Sequence, residues 1–440
     1  MNKINTKKIF LTALCFLLVR NIFFCFLLPL WSHGDEIAHF DYVLKLNRGH
    51  FPEPVEYIET SLFALHKMRW DNRIITHHKA HGIRNIEDLG LAGHSYEANQ
   101  PPLPYLIMAL VRKGLLFLNV PLLLQVKLLR VFTLFPLILG LVIIYKGLQS
   151  AKIKHPVYYY PLFFIPLLPQ DMFFSINTDC YSFFFASLAV VGIIRLFLNS
   201  SSWKAWILLS AGVILCLWTK ATNALLFVLW PVLIIFFWVE QRNRKKILIA
   251  LLVLLIILVF SSPWYIYNQM RFSDPFRNTV ELDYPEVLPR PVSFSTLKIF
   301  ALGFNRTLFR GEFLWNGRYI EVFSALGNTI VLVIMPLLIF AAGFVSFFFY
   351  FDRSKKHLKY LILCGAGTIS ALLLAYFAVG GLPYYQVRYG FAGLYFMMLV
   401  YAIGWKKIIP QEPYNFYIPA AWLLSYNLVY AYNLFTKVTL

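Results

Sequence analysis

Apolar runs of roughly 15 to 26 residues alternate along the chain with short basic or polar stretches. An apolar run near 20 residues is long enough to cross a bilayer as a helix. The pattern therefore predicts an all-α, polytopic bundle of about eleven spans, within a range of roughly 10 to 13. The predicted spans are 9–30, 128–146, 156–173, 178–198, 204–218, 222–239, 246–266, 326–351, 359–380, 388–405 and 416–435.

Basic residues collect at every second boundary between these runs, and cytoplasmic loops carry such an excess. We expect the N-terminus to be cytoplasmic and the first run to be a retained helix, because no small-residue cleavage site follows it. The stretch 101–120 carries Arg112 and Lys113 at its middle, so we expect it to lie along the outer interface. The cytoplasmic markers are Lys146, Lys152, Lys154, Arg242, Arg244, Lys245, Lys246, Arg353, Lys355, Lys356, Lys359, Lys406 and Lys407.

Two long polar stretches interrupt the apolar runs. Residues 31–100 hold ten of the 21 acidic residues and eight of the ten histidines. A second stretch, about 267–325, holds six more acids. The charge pattern places both on the outer face, the first of them carrying juxtamembrane helices. We divide the chain into a transmembrane catalytic module, 1–405, and a C-terminal transmembrane helix with its tail, 406–440.

The composition excludes an ordinary soluble protein. Hydrophobic residues make up 59% of the chain and charged residues 14%, against roughly 25% charge in soluble domains. The net charge of +19 follows from the positive-inside pattern, and part of it could face an anionic lipid-linked substrate. We expect no nucleic-acid partner. The five cysteines lie in apolar runs without a CxxC pair, which favours neither a disulfide framework nor a zinc site.

The first candidate group follows the first helix. Asp35 and Glu36 are adjacent carboxylates, and His39 lies one helical turn further. Such residues suit proton abstraction or metal binding at a membrane boundary. The alternative is a solvated helix start whose acids favour the N-terminal dipole.

Two more groups place acids and amides at the same face. Glu97 and Gln100 precede a Pro-Pro pair that fixes the entry into the next helix. Asn177 and Asp179 begin an otherwise apolar run, where a carboxylate is costly unless it is functional, paired or at the surface. For both groups the alternative is a helix cap.

Cations at this face are candidates for binding a phosphate. Lys220 and Arg388 each lie between two apolar runs, Tyr389 follows Arg388, and Arg271 ends a helix before the second outer stretch. Arginine can grip a phosphate with two parallel hydrogen bonds. The alternative for Lys220 and Arg388 is interfacial anchoring, with the charged head reaching toward water.

The order of these motifs resembles a known family. An Asp-Glu pair with His-Phe and Tyr opens a large outer loop, and Gln-Pro-Pro-Leu-Pro-Tyr closes it; Asn-x-Asp, Lys-x-Thr and Arg-Tyr elements follow. This arrangement, over about residues 8–405, resembles the GT-C superfamily of integral-membrane glycosyltransferases, in the branch of the protein mannosyltransferases and aminoarabinose transferases. The chain departs from the family pattern at two places. Gln100 stands where some relatives have lysine. Around Arg388 the chain has Gln-Val-Arg-Tyr-Gly-Phe-Ala, where the family usually has Gly-Arg-Tyr followed by a proline.

The resemblance implies a multi-pass enzyme of the cell (inner or plasma) membrane and its envelope. Such enzymes transfer a hexose or pentose from a polyprenyl-phosphate donor to a lipid, glycan or protein acceptor, usually with inversion. Asp35 matches the catalytic aspartate, which implies a general base, and Glu36 is its neighbour in acceptor or metal contact. Together with their place at the outer face, these matches predict donor or substrate contact for His39, Glu97, Gln100, Asn177, Asp179, Lys220, Arg271, Arg388 and Tyr389.

A divalent metal ion could take over part of the cationic role, with Asp35, Glu97 and Asp179 as candidate oxygen ligands. Membrane lipids are the remaining expected partners. The main alternative function is a transporter or flippase for a lipid-linked or amphipathic solute, because charges among apolar helices also mark transport paths. A noncatalytic protein that keeps the glycosyltransferase fold is the third possibility.

Overall fold

A computed structural model of the chain is almost entirely helical. Its helices are numbered in chain order over the described residues. The structure describes residues 5–28, 30–31, 35–53, 56–59, 61–62, 95–198, 202–275, 291–310, 314–315, 318–319, 330, 334–346, 356–378 and 386–439.

The helices agree closely with the apolar runs. The α-helices are α1 Thr6–Leu27, α2 Glu36–Asn47, α3 Leu103–Phe117, α4 Leu122–Ser150, α5 Tyr160–Phe164, α6 Asp179–Leu198, α7 Trp203–Leu217, α8 Leu229–Val239, α9 Arg244–Phe272, α10 Phe294–Arg310, α11 Met335–Val345, α12 Lys356–Ala378, α13 Leu394–Ile408 and α14 Tyr414–Thr439. Short 3₁₀ helices cover Tyr96–Asn99, Pro156–Tyr158, Ile165–Leu167, Asp171–Phe173, Ala221–Val228 and Val387–Gly393. A two-stranded antiparallel pair joins β1 Leu314–Trp315 to β2 Arg318–Tyr319.

Seven of the described helices are long and apolar enough to cross a membrane, so the protein is a multi-pass membrane protein. Two further apolar helices, α7 and α11, are shorter, and α14 is long but less apolar. By length and composition, fewer of the described helices qualify as spans than the eleven or so that the sequence predicts. The seven are Thr6–Leu27, Leu122–Ser150, Asp179–Leu198, Ala221–Val239, Arg244–Phe272, His357–Ala378 and Val387–Ile408.

The stretch 156–173 is not the continuous span that its hydropathy predicts. It consists of three short 3₁₀ helices and the five-residue α5. Prolines recur here almost every five residues, and each one removes a backbone donor and clashes with the preceding turn. The segment is nevertheless buried among the other helices, so its hydrophobicity reflects packing inside the bundle. The prolines are Pro156, Pro161, Pro166 and Pro169.

Close packing between α6 and α7 fixes the helix that carries Asp179. A Cβ atom on Gly192 would lie 2.7 Å from the backbone nitrogen of Leu209, and one on Gly212 would lie 2.5 Å from that of Ala189. Both distances are too short for a side chain, so the two glycines allow the backbones to approach. Helix α6 also packs along α4, which places its first turn beside the end of α1.

Helices α2 and α3 pack together next to the first span. Arg112 donates a hydrogen bond to Oδ1 of Asn47 at 2.9 Å, and Asn47 donates to the carbonyl of Ala109 at 2.8 Å. Helix α2 therefore bonds one end of the Arg112 guanidinium, while the buried Nε atom has no partner among the described residues. The 15 residues of α3 would span only about 22 Å, shorter than a bilayer core.

A buried lysine of α2, Lys45, contacts residues further along the polar stretch 31–100. The Nζ atom of Lys45 lies 3.0 Å from Asp41, 2.7 Å from Ser95 and 3.2 Å from Glu56. These contacts hold residues on either side of 63–94 against one helix. The part of the predicted first loop between them lies outside the described residues. In the second predicted loop, the structure describes α10 and the β1–β2 pair.

Candidate functional site

Six predicted site residues from distant segments meet beside the start of α2, and we call them the charged cluster. Asp35 is at the N-cap of α2, Glu97 lies in the 3₁₀ turn before the Pro-Pro pair, and Asp179 begins α6. Lys220, Arg388 and Tyr389 come from the starts of two 3₁₀ helices that lead into spans. The charged cluster is Asp35, Glu97, Asp179, Lys220, Arg388 and Tyr389.

Asp35 is paired with Arg388, from the other end of the chain. The side chain of Asp35 makes no capping bond to its own helix; instead Oδ2 accepts from Nη1 of Arg388. Both side chains keep partial access, at 21% and 14% exposure. Arg388 also donates from Nε to Gln386 at 2.9 Å. The two side chains therefore form a partly exposed ion pair, and Asp35 does not cap its own helix.

A second ion pair lies beside the first. Nζ of Lys220 is 2.8 Å from Oδ1 of Asp179, and both side chains are buried. The Tyr389 ring links the two pairs, because the Lys220 ammonium and the Arg388 guanidinium each lie 5.1 Å from its centroid. Two positive charges therefore lie beside one aromatic ring, in the same part of the cluster.

Within the cluster, Glu97 lies next to two aromatic side chains, those of Tyr105 and His39. Tyr105 donates a hydrogen bond to Oε2 of Glu97 at 3.4 Å, and Nδ1 of His39 lies 2.8 Å from the same hydroxyl. His39 and Glu97 are 3.7 Å apart. Burial raises the pKa of Glu97 to about 8, and the charge of Asp35 contributes to the rise.

Glu36 is turned away from the cluster into a pair with Arg130, which we call the Glu36–Arg130 clamp. The carboxylate is 0% exposed and receives Nε and Nη2 of Arg130 at 2.7 and 2.6 Å. It also accepts the backbone N–H groups of Ile176 and Trp31 at 3.1 and 3.2 Å. The described geometry therefore gives Glu36 a structural position, while a role in acceptor or metal contact stays a prediction.

Three other predicted residues lie outside the cluster contacts. Asn177 accepts the backbone N–H groups of Asp179 and Cys180 at 2.8 and 3.3 Å, so it caps α6. Gln100 accepts from Tyr42 through its backbone carbonyl, and its Oε1 atom has no partner among the described residues. Arg271 is 50% exposed and pairs with Glu53, away from the two cluster cations.

The candidate metal ligands do not form a metal site in the described residues. No group of three His, Cys, Asp or Glu side chains within that part of the chain could hold an ion. Asp35 and Asp179 instead each have a cation as partner. The residues present do not fit a divalent ion, so we derive no chemistry from one, and metal dependence stays a prediction.

Sequence reasoning missed two residues that build the site. Arg130 lies inside the predicted span 128–146, and a charge at such a position is by default paired or functional; that signal was available. Tyr105 ends the Pro-Pro motif and stacks on Tyr42 with ring centroids 3.9 Å apart. No sequence pattern distinguishes this tyrosine from the many others in the chain.

No family model matches the chain, and no curated protein matches it significantly. The function must therefore be argued from the geometry of the charged cluster.

Proposed function

We propose that the protein is a membrane glycosyltransferase that transfers a sugar from a polyprenyl-phosphate donor to an acceptor at the extracytoplasmic face. The observation that carries the proposal is the pair of cations, Lys220 and Arg388, over one tyrosine ring beside the partly open carboxylate of Asp35. A phosphate leaving group needs such cations, and an acceptor hydroxyl needs such a base.

The ion pairs suggest an order of events. Arg388 holds Asp35, so an incoming donor phosphate competes with that carboxylate for the guanidinium. Charge-assisted hydrogen bonds from arginine to phosphate can replace those to the carboxylate. Donor binding would then release Asp35 to act as base. The base is thus free only when a donor is present.

The bond changes balance without a cofactor. The acceptor oxygen forms a bond to the anomeric carbon as the carbon–oxygen bond to the phosphate breaks, and the electron pair of that bond goes to the phosphate. The acceptor proton moves to Asp35. Attack from the face opposite the phosphate inverts the anomeric centre. Arg388 and Lys220 stabilise the charge that develops on the leaving phosphate.

We also propose a cell (inner or plasma) membrane location, about eleven spans and a cluster on the extracytoplasmic side. The support is the alternation of basic boundaries, which assigns a cytoplasmic side to markers such as Lys146 and Lys406. The cluster residues were not used in that assignment, yet they fall on the opposite side.

Single-turnover sugar transfer in nanodiscs tests the function. Asp35→Asn keeps the shape of the side chain but cannot accept a proton, so transfer should fall by roughly 10²- to 10⁴-fold while donor binding survives. Glu412→Gln, which removes a carboxylate next to Lys406, is the matched control and should retain the wild-type rate. A chelator arm tests metal dependence. Wild-type transfer by Asp35→Asn would exclude Asp35 as the base.

One observation favours a lipid-linked-solute flippase as the second candidate. Lys220 precedes, and Arg388 lies in, a 3₁₀ stretch that begins a span, and interrupted helices carry the binding sites of many transporters. The two functions differ in product. A flippase moves the intact donor across the bilayer without acceptor, whereas a transferase cleaves the sugar–phosphate bond and needs the acceptor.

A further inference from the structure

The charged cluster has more acids than cations. Asp35, Glu97 and Asp179 supply three carboxylates, and Lys220 and Arg388 supply two positive charges. An excess negative charge in a mostly buried cluster is costly. It would also repel the anionic phosphate that the proposed function requires. Counted over the described residues of the cluster, loss of the charge of one acid would remove this excess.

The contacts single out Glu97. Asp35 and Asp179 each bond a cation directly, whereas within the described part of the chain Glu97 has no Lys or Arg at ion-pair distance. Its Oε2 atom accepts the Tyr105 hydroxyl at 3.4 Å. Its Oε1 atom has no hydrogen-bond partner among the described residues, and the side chain is 12% exposed.

The other titratable groups around Glu97 do not change this assignment. Nδ1 of His39 is 3.7 Å from the carboxylate but 2.8 Å from the Tyr105 hydroxyl, so the histidine bonds the tyrosine. Asp35 and Asp179 act on Glu97 as negative charges, which favours its neutral form; Lys220 and Arg388 oppose them from a distance. Burial is the largest influence and also favours the neutral form.

We infer that Glu97 enters the reaction as a neutral carboxylic acid and donates a hydrogen bond to the phosphate of the lipid-linked donor. This inference rests on the proposed function. The Tyr105 hydroxyl holds one oxygen, which leaves the other to carry the proton toward the anion. With Glu97 neutral, the cluster has two negative and two positive charges and no longer repels the donor.

The inference predicts that donor binding weakens when Glu97 ionises. The pKa of Glu97 is raised to about 8, so the acid is neutral below this value and charged above it. Between about pH 6.5 and about pH 9 the neutral fraction falls by roughly tenfold, and the apparent affinity should fall by the same factor. A lipid phosphodiester keeps its single charge over this range.

The probe is farnesyl methyl phosphate, a sugar-free diester, titrated into the full-length protein in nanodiscs. The wild type should lose roughly tenfold in affinity over that pH range. Glu97→Gln, whose amide still donates, should bind within about threefold of the wild type at the lower pH and show no pH dependence. Glu56→Gln, in the polar stretch away from the cluster, is the matched control and should keep the wild-type pH dependence.

Several outcomes would overturn the inference. A flat wild-type profile, or a Glu97→Gln profile that still falls, would mean that Glu97 does not titrate as proposed. Loss of the pH dependence in His39→Gln but not in Glu97→Gln would assign it to the histidine. Absence of wild-type binding at every pH would count against the proposed function. In that case infrared detection of a protonated carboxyl missing from Glu97→Gln still decides the state of Glu97.

Discussion

Two neighbouring residues, Asp35 and Glu36, belong to two very different regions of the molecule. The Glu36–Arg130 clamp is fully buried, and its carboxylate accepts from Arg130 and from two backbone N–H groups. Arg130 further donates to the carbonyls of Cys25 and Leu28 at 3.3 and 2.9 Å. In the charged cluster, by contrast, Asp35 meets Arg388 at a partly accessible opening.

The two ion pairs differ in whether an outside group can reach them. The clamp joins the end of α1, the start of α2, helix α4 and the turn at Ile176. Removal of either charged side chain would leave the other charge buried and unpaired. The Asp35–Arg388 pair is partly exposed, so an anion from solvent can compete for the arginine. Position in the sequence does not distinguish two adjacent acids; burial does, because Glu36 is 0% exposed and Asp35 is 21% exposed.

The largest effect should come from breaking the clamp. Arg130→Met leaves the buried Glu36 carboxylate unpaired, which typically costs about 3–5 kcal/mol, and the protein should unfold at a much lower temperature in detergent. The double variant Glu36→Gln/Arg130→Met removes both charges and should recover much of that loss. Wild-type stability of Arg130→Met alone would contradict the structural role of the clamp.

An intermediate effect is expected in the cluster. Lys220→Ala and Arg388→Ala each remove a charge-assisted hydrogen bond to the donor phosphate, worth about 1.5–3 kcal/mol, or roughly 10- to 150-fold in affinity. The fold should persist in Arg388→Ala, whose partner Asp35 is 21% exposed, whereas Lys220→Ala leaves the buried Asp179 carboxylate unpaired and should also lower stability. Binding of the farnesyl diester measures the effect, with the exposed Lys127→Ala as control. Unchanged affinity in both variants would remove these residues from the donor site.

The smallest effect is expected at Arg271. Its pair with Glu53 is half-exposed, and surface ion pairs contribute little to stability because water screens them. Arg271→Ala should therefore leave stability nearly unchanged and leave diester binding within about threefold. Because the sequence places Arg271 among the donor-binding candidates, a loss comparable to that of Arg388→Ala would bring it back into the site.

Periodicity and hydropathy predict the helices well, because a membrane leaves few alternatives for an apolar run. They fail at 156–173, where recurring prolines override hydrophobicity. The span count stays a prediction, because only seven described helices reach spanning length and α7 and α11 are apolar but shorter. A hydrophobic run does not itself distinguish burial against lipid from burial against protein.

The site was predictable in outline only. Charge parity gathers Asp35, Asp179, Lys220 and Arg388 on one face, and the structure brings them together. Which acid pairs with which cation depends on tertiary packing and leaves no trace in sequence spacing. The same holds for Asn177, where a helix cap and a substrate contact require the same residue type.

The Asp35–Arg388 pair joins residues that are 353 positions apart. During synthesis the three carboxylates of the charged cluster leave the ribosome long before the arginine does. Until the last spans are inserted, Lys220 is the sole cluster cation available to three acids. The Asp35–Arg388 pair therefore forms last, and a chain interrupted before Arg388 has the carboxylate without its partner. Insertion of the final helices thus completes the charged cluster as well as the bundle.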